Sequence, residues 1–273
     1  MIWIIQRLST LRSRSPVGVA QLWIVRCLYV FGDMEILDQF SVLLFDMNGT
    51  FMFGEDRFGA SEDFYTTYHS VGGVTLTPAQ VSAGIRGCYE GMLRICRSSE
   101  SYDDFPSLAE GLRRYADVPD GELFRLEQVF TLHERGSVPP DYAALLRRLS
   151  QTHQLGLVTN IWARKEAWLS EFERAGIADV FICRIFSSDS RSIKPSPTLF
   201  RRALQSFPTD SRVLFIGDSL HRDIVPAKAL ELATAWISTS GEVSPYADFI
   251  LPSLLAIEAK TPNTALEPTP TAL

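Results

Sequence analysis

The sequence lacks the residues that several functional classes require. It has only four cysteines, Cys27, Cys88, Cys96 and Cys183, with no C-x-x-C pair. That rules out a disulfide framework and favours a reducing, cytoplasmic setting. The four histidines, His69, His133, His153 and His221, are scattered, which disfavours a histidine zinc site. Basic residues are in deficit, 26 against 32 acids for a net charge of −6, so nucleic acid is not an expected partner. The most apolar stretch, Val17 to Phe31, contains Gln21 and Arg26 and falls short of the ~20 apolar residues of a membrane span. Residues 55–140 contain no lysine at all.

What is present is an alternation. Apolar runs at Ser41–Phe45, Leu155–Val158, Val180–Phe186, Arg212–Ile216, Ala233–Ile237 and Asp248–Leu251 read as strands. Between them, amphipathic or capped segments at Asp141–Ser150, Ala163–Ala175, Thr198–Gln205 and Asp223–Leu232 read as helices. This pattern predicts an α/β fold with a doubly wound parallel sheet. Residues 55–140 break the alternation. Helical patterning at Ala60–Ser70, Pro78–Ile95, Leu108–Ala116 and Asp120–Glu134, without strand signals, predicts a helical insert after the first strand. The core would then comprise residues 34–54 and 141–258. Residues 1–33 are Arg-rich and acid-poor and are expected to be an N-terminal extension. They read as a transit segment or, in preference, as the product of a start placed upstream of Met34. The Pro/Thr-rich residues 259–273 are expected to be a disordered tail.

Four short stretches carry chemistry. The first strand ends in Asp46-Met47-Asn48-Gly49-Thr50, the second in Thr159-Asn160, and the fourth in Gly217-Asp218 followed by Asp223; Lys194-Pro195 lies between the last two. In open α/β sheets ligands bind beyond the carboxyl ends of the strands, so these residues face one crevice. A strand-end carboxylate such as Asp46 can act as a nucleophile toward phosphorus. A phosphate dianion repels it, so positive charge is needed. Mg²⁺ could be held by Asp46 and Asp218, with Lys194 as a second source. Backbone N–H groups from Met47 to Thr50, including those of Gly49 and Thr50, with Thr159 and Asn160, could donate hydrogen bonds to the phosphoryl oxygens. Singly, each residue has a plainer reading: Asp46 as a turn residue, Thr159, Asp218 and Asp223 as helix caps, Lys194 as a surface charge. Their order and spacing favour the chemical one.

In that order and spacing the motifs resemble those of the haloacid-dehalogenase-like (HAD) hydrolases, over residues 41 to 251 or so. The resemblance implies a Rossmann-like core with a helical cap at 55–140, and Mg²⁺-dependent hydrolysis of a small phosphorylated metabolite. It makes Asp46 the nucleophile and a metal ligand, with the Asn48 backbone carbonyl and Asp218 also on the metal. Thr159 and Lys194 would bind the phosphoryl group. Asp223 would orient Lys194 or a metal-bound water, counting with the metal site. Oligomeric state is left open.

One residue departs from the pattern. The family's phosphatases carry an acid/base Asp where this chain has Asn48, and an amide cannot exchange protons near neutral pH. Losing a positioned acid/base costs ~10²–10⁴-fold. Four accounts follow. The chain is a slow phosphatase or recruits another group, such as His221 or a cap side chain. It binds a phosphorylated ligand without turnover. It runs another reaction, although the lysine-free insert argues against a Schiff-base phosphonatase and the retained Asp218 and Asp223 against a metal-free dehalogenase. Finally, Asn48-Gly49 could deamidate and restore the acid. Arg86, Arg94 and Arg97 are expected on a solvated face of the insert, and His221 on the surface.

Overall fold

The computed structural model describes residues 36–98 and 102–258. The expectations for residues 1–33 and 259–273 lie outside them. Residues 37–258 form one compact unit. Its centre is a six-stranded sheet of β1 (Val42–Phe45), β2 (Gln154–Thr159), β3 (Phe181–Phe186), β4 (Val213–Gly217), β5 (Ala233–Ile237) and β6 (Phe249–Leu251). The order is β3-β2-β1-β4-β5-β6, and every pairing is parallel.

β1 is central and has no exposed residue, as its unbroken apolar run requires of a strand covered on both faces. Its alternate residues point to opposite layers. Val42 and Leu44, with Val158 and Phe215, pack under Leu199, Phe200 and Ala203 of one helix (Pro197–Leu204) and Ala227 of another (Val225–Ala229). Phe45 faces the other way, edge-on to Phe51 and Phe181 at ring separations of 6.4 and 6.5 Å. Phe172, from the helix Glu166–Ala175, closes that cluster 5.8 Å from Phe181.

Between β1 and β2 the chain forms α1 (Phe64–Ser70), α2 (Pro78–Cys96), α3 (Leu108–Tyr115) and α4 (Asp120–Glu134), then α5 (Pro140–Leu149). The remaining helices are α6 (Glu166–Ala175), α7 (Pro197–Leu204) and α8 (Val225–Ala229). α2 and α3 each open with a capping box, Thr77/Gln80 and Ser107/Glu110. The chains entering and leaving the insert pair with each other: Phe53 N–H donates to Ser137 O at 3.0 Å and Ser137 N–H to Phe53 O at 2.9 Å. No helix among the described residues is long and apolar enough to cross a membrane.

Three helices depart from the sequence reading. α1 begins at Phe64 because the Asp63 carboxylate takes the cap, accepting from Tyr65 and Thr66 N–H. α6 begins at Glu166 because the Trp162 and Ala163 N–H groups are held by the Glu134 carboxylate. The last predicted helix is split into a wide turn, Leu220–Ile224, and the short α8. Pro226 supplies no N–H there, and Ser219 and Asp223 pin the turn through side-chain bonds.

Phe51 is fully buried against Phe45, Phe172 and Phe181. Phe51→Ala is expected to cost about 3–5 kcal/mol in urea unfolding at unchanged m-value, with Phe51→Leu costing clearly less.

Candidate active site

β1 delivers Asp46 to the carboxyl edge of the sheet. Its N–H still bonds to Ile216 O at 2.8 Å, which extends the β1–β4 ladder and fixes the direction of the side chain. The chain then winds at once: Thr50, Phe51 and Met52 N–H all converge on Met47 O at 3.0–3.1 Å. Gly49 lies at φ +73, and a Cβ there would come within 2.5 Å of Asp218 Oδ2. Only glycine meets both conditions without strain, and it lets the β1 turn close onto the end of β4.

Asp218 and Asp223 come from the β4 side. A carboxylate oxygen from each of Asp46, Asp218 and Asp223 lies within 4.8 Å of the others. Asp223 is oriented by Ser219 N–H, which donates to its Oδ2 at 3.0 Å. Lys194 sits among these acids, 2% exposed, with Nζ 2.5 Å from Asp46 Oδ1 and 2.6 Å from Asp223 Oδ1. Asn160, at the end of β2, sets Lys194 in place. Its Oδ1 accepts from Lys194 N–H at 2.8 Å and its Nδ2 donates to Lys194 O at 3.1 Å.

The electrostatics follow from burial and crowding. Burial works against the Lys194 ammonium, but the Asp223 and Asp46 carboxylates outweigh it and its pKa moves up. Burial pushes Asp223 up to about 6 even though Lys194 opposes the shift. Asp218 is pushed up to about 7, by burial first and then by Asp46 and Asp223.

Four buried oxygens on the stretches that end β1, β2 and β4 have no partner among the described residues: Asn48 Oδ1, Thr50 Oγ1, Thr159 Oγ1 and Asp218 Oδ1. Buried polar atoms are seldom left unsatisfied, so these oxygens, at the carboxyl ends of the strands, suit a polar ligand. An all-oxygen donor set of three carboxylates, one with an unpartnered oxygen, suits a hard divalent cation such as Mg²⁺.

Two groups expected to contact the phosphoryl oxygens make bonds within the protein. The Gly49 and Thr50 N–H groups do not face the crevice as donors, because they bond to Met52 O and Met47 O. Those of Met47 and Asn48 have no acceptor among the described residues, and Thr50 offers its hydroxyl instead. Asn160 has both amide atoms engaged on the Lys194 backbone, not directed at a substrate. The bonded Gly49 nitrogen is also the atom that would have to attack Asn48 for deamidation.

Other residues differ from the sequence reading or were missed by it. Arg86 is not simply solvated: it donates to Gly59 O and Ala60 O and lies 5.3 Å from the Phe64 ring centroid. His221 is exposed, as expected. Glu134 was missed. It is buried at the end of α4 and accepts from Trp162 N–H at 2.5 Å and Ala163 N–H at 2.8 Å. Burial pushes its carboxyl up to about 8 against those two bonds.

Lys194→Met strands two buried carboxylates. It is expected to lower stability by about 3–5 kcal/mol at pH 7.5, with the loss shrinking at pH 5 as the raised Asp223 takes up a proton; urea unfolding at both pH values checks this. In the wild type the raised Asp218 and Asp223 bind more protons folded than unfolded. Without metal, stability should therefore fall as pH rises from about 4 toward 7. The Tm gain on adding Mg²⁺ should be larger at pH 7.5 than at pH 5.5, since the ion needs the ionised carboxylates.

The chain is similar to known proteins. The sequence profile of the haloacid dehalogenase-like hydrolases matches residues 40–231. The chain is 30% identical over 139 residues to a glyceraldehyde 3-phosphate phosphatase of Pyrococcus abyssi, covering 49% of this chain and 58% of that protein. It is 29% identical over 108 residues to the pyrimidine 5′-nucleotidase YjjG of Escherichia coli, covering 39% of this chain and 47% of that one. The chain thus spans about half the length of these relatives. The crystal structure of a 2-haloacid dehalogenase from Pseudomonas syringae superposes with a TM-score of 0.54 at 20% identity, over 80% of this chain and 96% of that one, a likeness of fold alone. With a parallel sheet in this order, three aspartates and a lysine gathered at its carboxyl edge, and a family match over most of its length, the chain belongs to the haloacid dehalogenase-like hydrolases.

Proposed function

We propose that this protein is a Mg²⁺-dependent phosphatase acting on a small phosphate monoester through an aspartyl-phosphate on Asp46. The observation that carries this reading is the cluster itself: Asp46, Asp218 and Asp223 within 4.8 Å, with Lys194 buried between two of them. A haloacid dehalogenase has no need of Asp218 and Asp223 as metal ligands, and a phosphonatase would need a cap lysine, which residues 55–140 lack. The names of the two relatives, a triose phosphate phosphatase and a nucleotidase, support a small phosphorylated substrate.

Asp46, Asp218 and the Asn48 backbone carbonyl would hold the ion, with Asp223 supporting the site through Lys194 or a bound water. When bound, Mg²⁺ supplies charge that offsets phosphate–carboxylate repulsion and polarises the phosphoryl group. The Lys194 ammonium and the Thr159 and Thr50 hydroxyls bind phosphoryl oxygens. Asp46 attacks in line. Residues 55–140 act as a cap that excludes water and selects the leaving group. Cys88, Cys96 and Cys183 are free thiols, which suits a cytoplasmic enzyme.

Asn48 favours one second reading: a protein that binds a phosphorylated ligand and turns it over slowly or not at all. Phosphate release from p-nitrophenyl phosphate and a panel of phosphorylated metabolites separates the two. The expected result is Mg²⁺-dependent release by the wild type that Asp46→Asn abolishes, with Asn48→Asp faster by up to ~10²-fold on alkyl esters. A silent wild type beside an active Asn48→Asp would establish the binding protein.

A further inference from the structure

The segment that carries Lys194 has no regular structure of its own. Residues 190–196 lie between the turn Ser187–Asp189 and α7, in neither helix nor strand. The ammonium is nonetheless fixed on two carboxylates, 2.5 Å from Asp46 Oδ1 and 2.6 Å from Asp223 Oδ1. A backbone without its own ladder is held by bonds from elsewhere. Asn160 supplies two of them from the end of β2. The insert supplies others.

We infer that Asp103 is a positioning residue for Lys194: it clamps the chain on either side of the lysine, so that the insert helps to seat the ammonium that binds the phosphoryl group. The inference rests on the phosphatase reading, which gives Lys194 that role, and names a residue of the insert on which the reaction depends.

The clamp is one oxygen with three donors. Asp103 Oδ1 accepts from the Ser192 hydroxyl at 2.9 Å, the Ser196 hydroxyl at 2.5 Å and the Thr198 hydroxyl at 3.0 Å. Ser192 and Ser196 stand two residues before and two residues after Lys194, and both are buried. Ser196 also caps α7, accepting from Thr198 N–H at 3.1 Å, so the grip reaches the first turn of the next helix. The Ser196 hydroxyl first, then those of Ser192 and Thr198, hold the Asp103 carboxyl below the usual aspartate range against the opposing effect of burial. Bonds to an acceptor that stays ionised are roughly twice as strong as bonds between neutral groups.

Asp103 is brought there by a backbone strap that does not need its side chain. Ile193 N–H donates to Tyr102 O at 2.8 Å, and Phe105 N–H to Arg191 O at 2.7 Å. Arg191 adds a bond from its Nε to Asp104 Oδ1 at 2.6 Å. Residues 102–105 therefore lie along residues 191–193. Asp103 itself is exposed. Truncating it opens no cavity and leaves the other bonds of the strap in place, so its variants report the clamp and not the fold.

The clamp matters because Lys194 must take on a further partner. When a phosphoryl group arrives, the ammonium has to serve its oxygens as well as Asp46 and Asp223. A long side chain does that accurately only from a fixed backbone, and a misplacement of ~1 Å can cost ~10²-fold in rate.

The test uses the full-length protein with Mg²⁺, p-nitrophenyl phosphate as substrate and vanadate as the phosphoryl analogue. Asp103→Ala should lower kcat and weaken vanadate inhibition, each by ~10-fold or more, at a Tm close to wild type. Asp103→Asn keeps the accepting oxygen and should recover most of both. Thr77→Ala removes a capping bond of α2, elsewhere in the insert; it should lower Tm and leave the vanadate inhibition constant unchanged. A merely structural role for Asp103 gives a different pattern: fewer active molecules, so a lower kcat with KM and the vanadate constant at wild-type values. That pattern would overturn the inference. So would Asp103→Asn as impaired as Asp103→Ala, or Thr77→Ala weakening vanadate as much. Each of these outcomes leaves the phosphatase reading intact. A wild type that releases no more phosphate than Asp46→Asn would overturn that reading, and with it the role of Lys194 on which this inference is built.

Discussion

One buried ammonium holds the carboxyl end of this sheet together. Three aspartates crowd into a few ångströms there, and burial with mutual repulsion raises the pKa of two of them, Asp218 and Asp223. Lys194 bridges two of them. Much of the local architecture serves that contact. Asn160 grips the lysine backbone from both sides. Ser219 N–H turns Asp223 toward it. A bare Gly49 allows the turn after β1 to close onto Asp218. The arrangement remains short of positive charge, which is the physical reason a cation belongs in it.

The frame of this site could be read from the sequence because its logic is local. An apolar run ending in an acid implies a buried strand that presents a carboxylate at its tip, and β1 and β4 both carry that pattern. α4 and β5 fall where periodicity places them. What could not be read depends on distant contacts. Nothing in Asn160-Ile161-Trp162 announces that Asn160 will bind the backbone of Lys194, or that the N–H groups of Trp162 and Ala163 will be taken by a glutamate from the insert. α6 therefore starts later than its own propensities suggest. The split at Leu220–Ile224 likewise follows from Ser219 and Asp223 bonding across the turn, which competes with a regular helix.

The amide at residue 48 sits in an otherwise complete set of charged groups. Asn48 preserves the shape of an aspartate and leaves its Oδ1 buried without a partner among the described residues. It also removes one negative charge from a site already crowded with acids. Binding of a phosphate dianion should suffer less than proton transfer, and the two capacities are separable in this scaffold because they rest on different atoms.

The Glu134 carboxylate has a mechanical consequence. It lies at the very end of α4 yet grips the backbone just after β2, so the exit of the insert and the loop behind Thr159 and Asn160 are stitched into one piece. Any swing of the helices must either tear two N–H···O bonds or drag that loop along, and Asn160 would transmit the pull to Lys194. As a cap over Asp46, residues 55–140 would be geared through Glu134 to the loop that seats Lys194, so lifting the one would loosen the other.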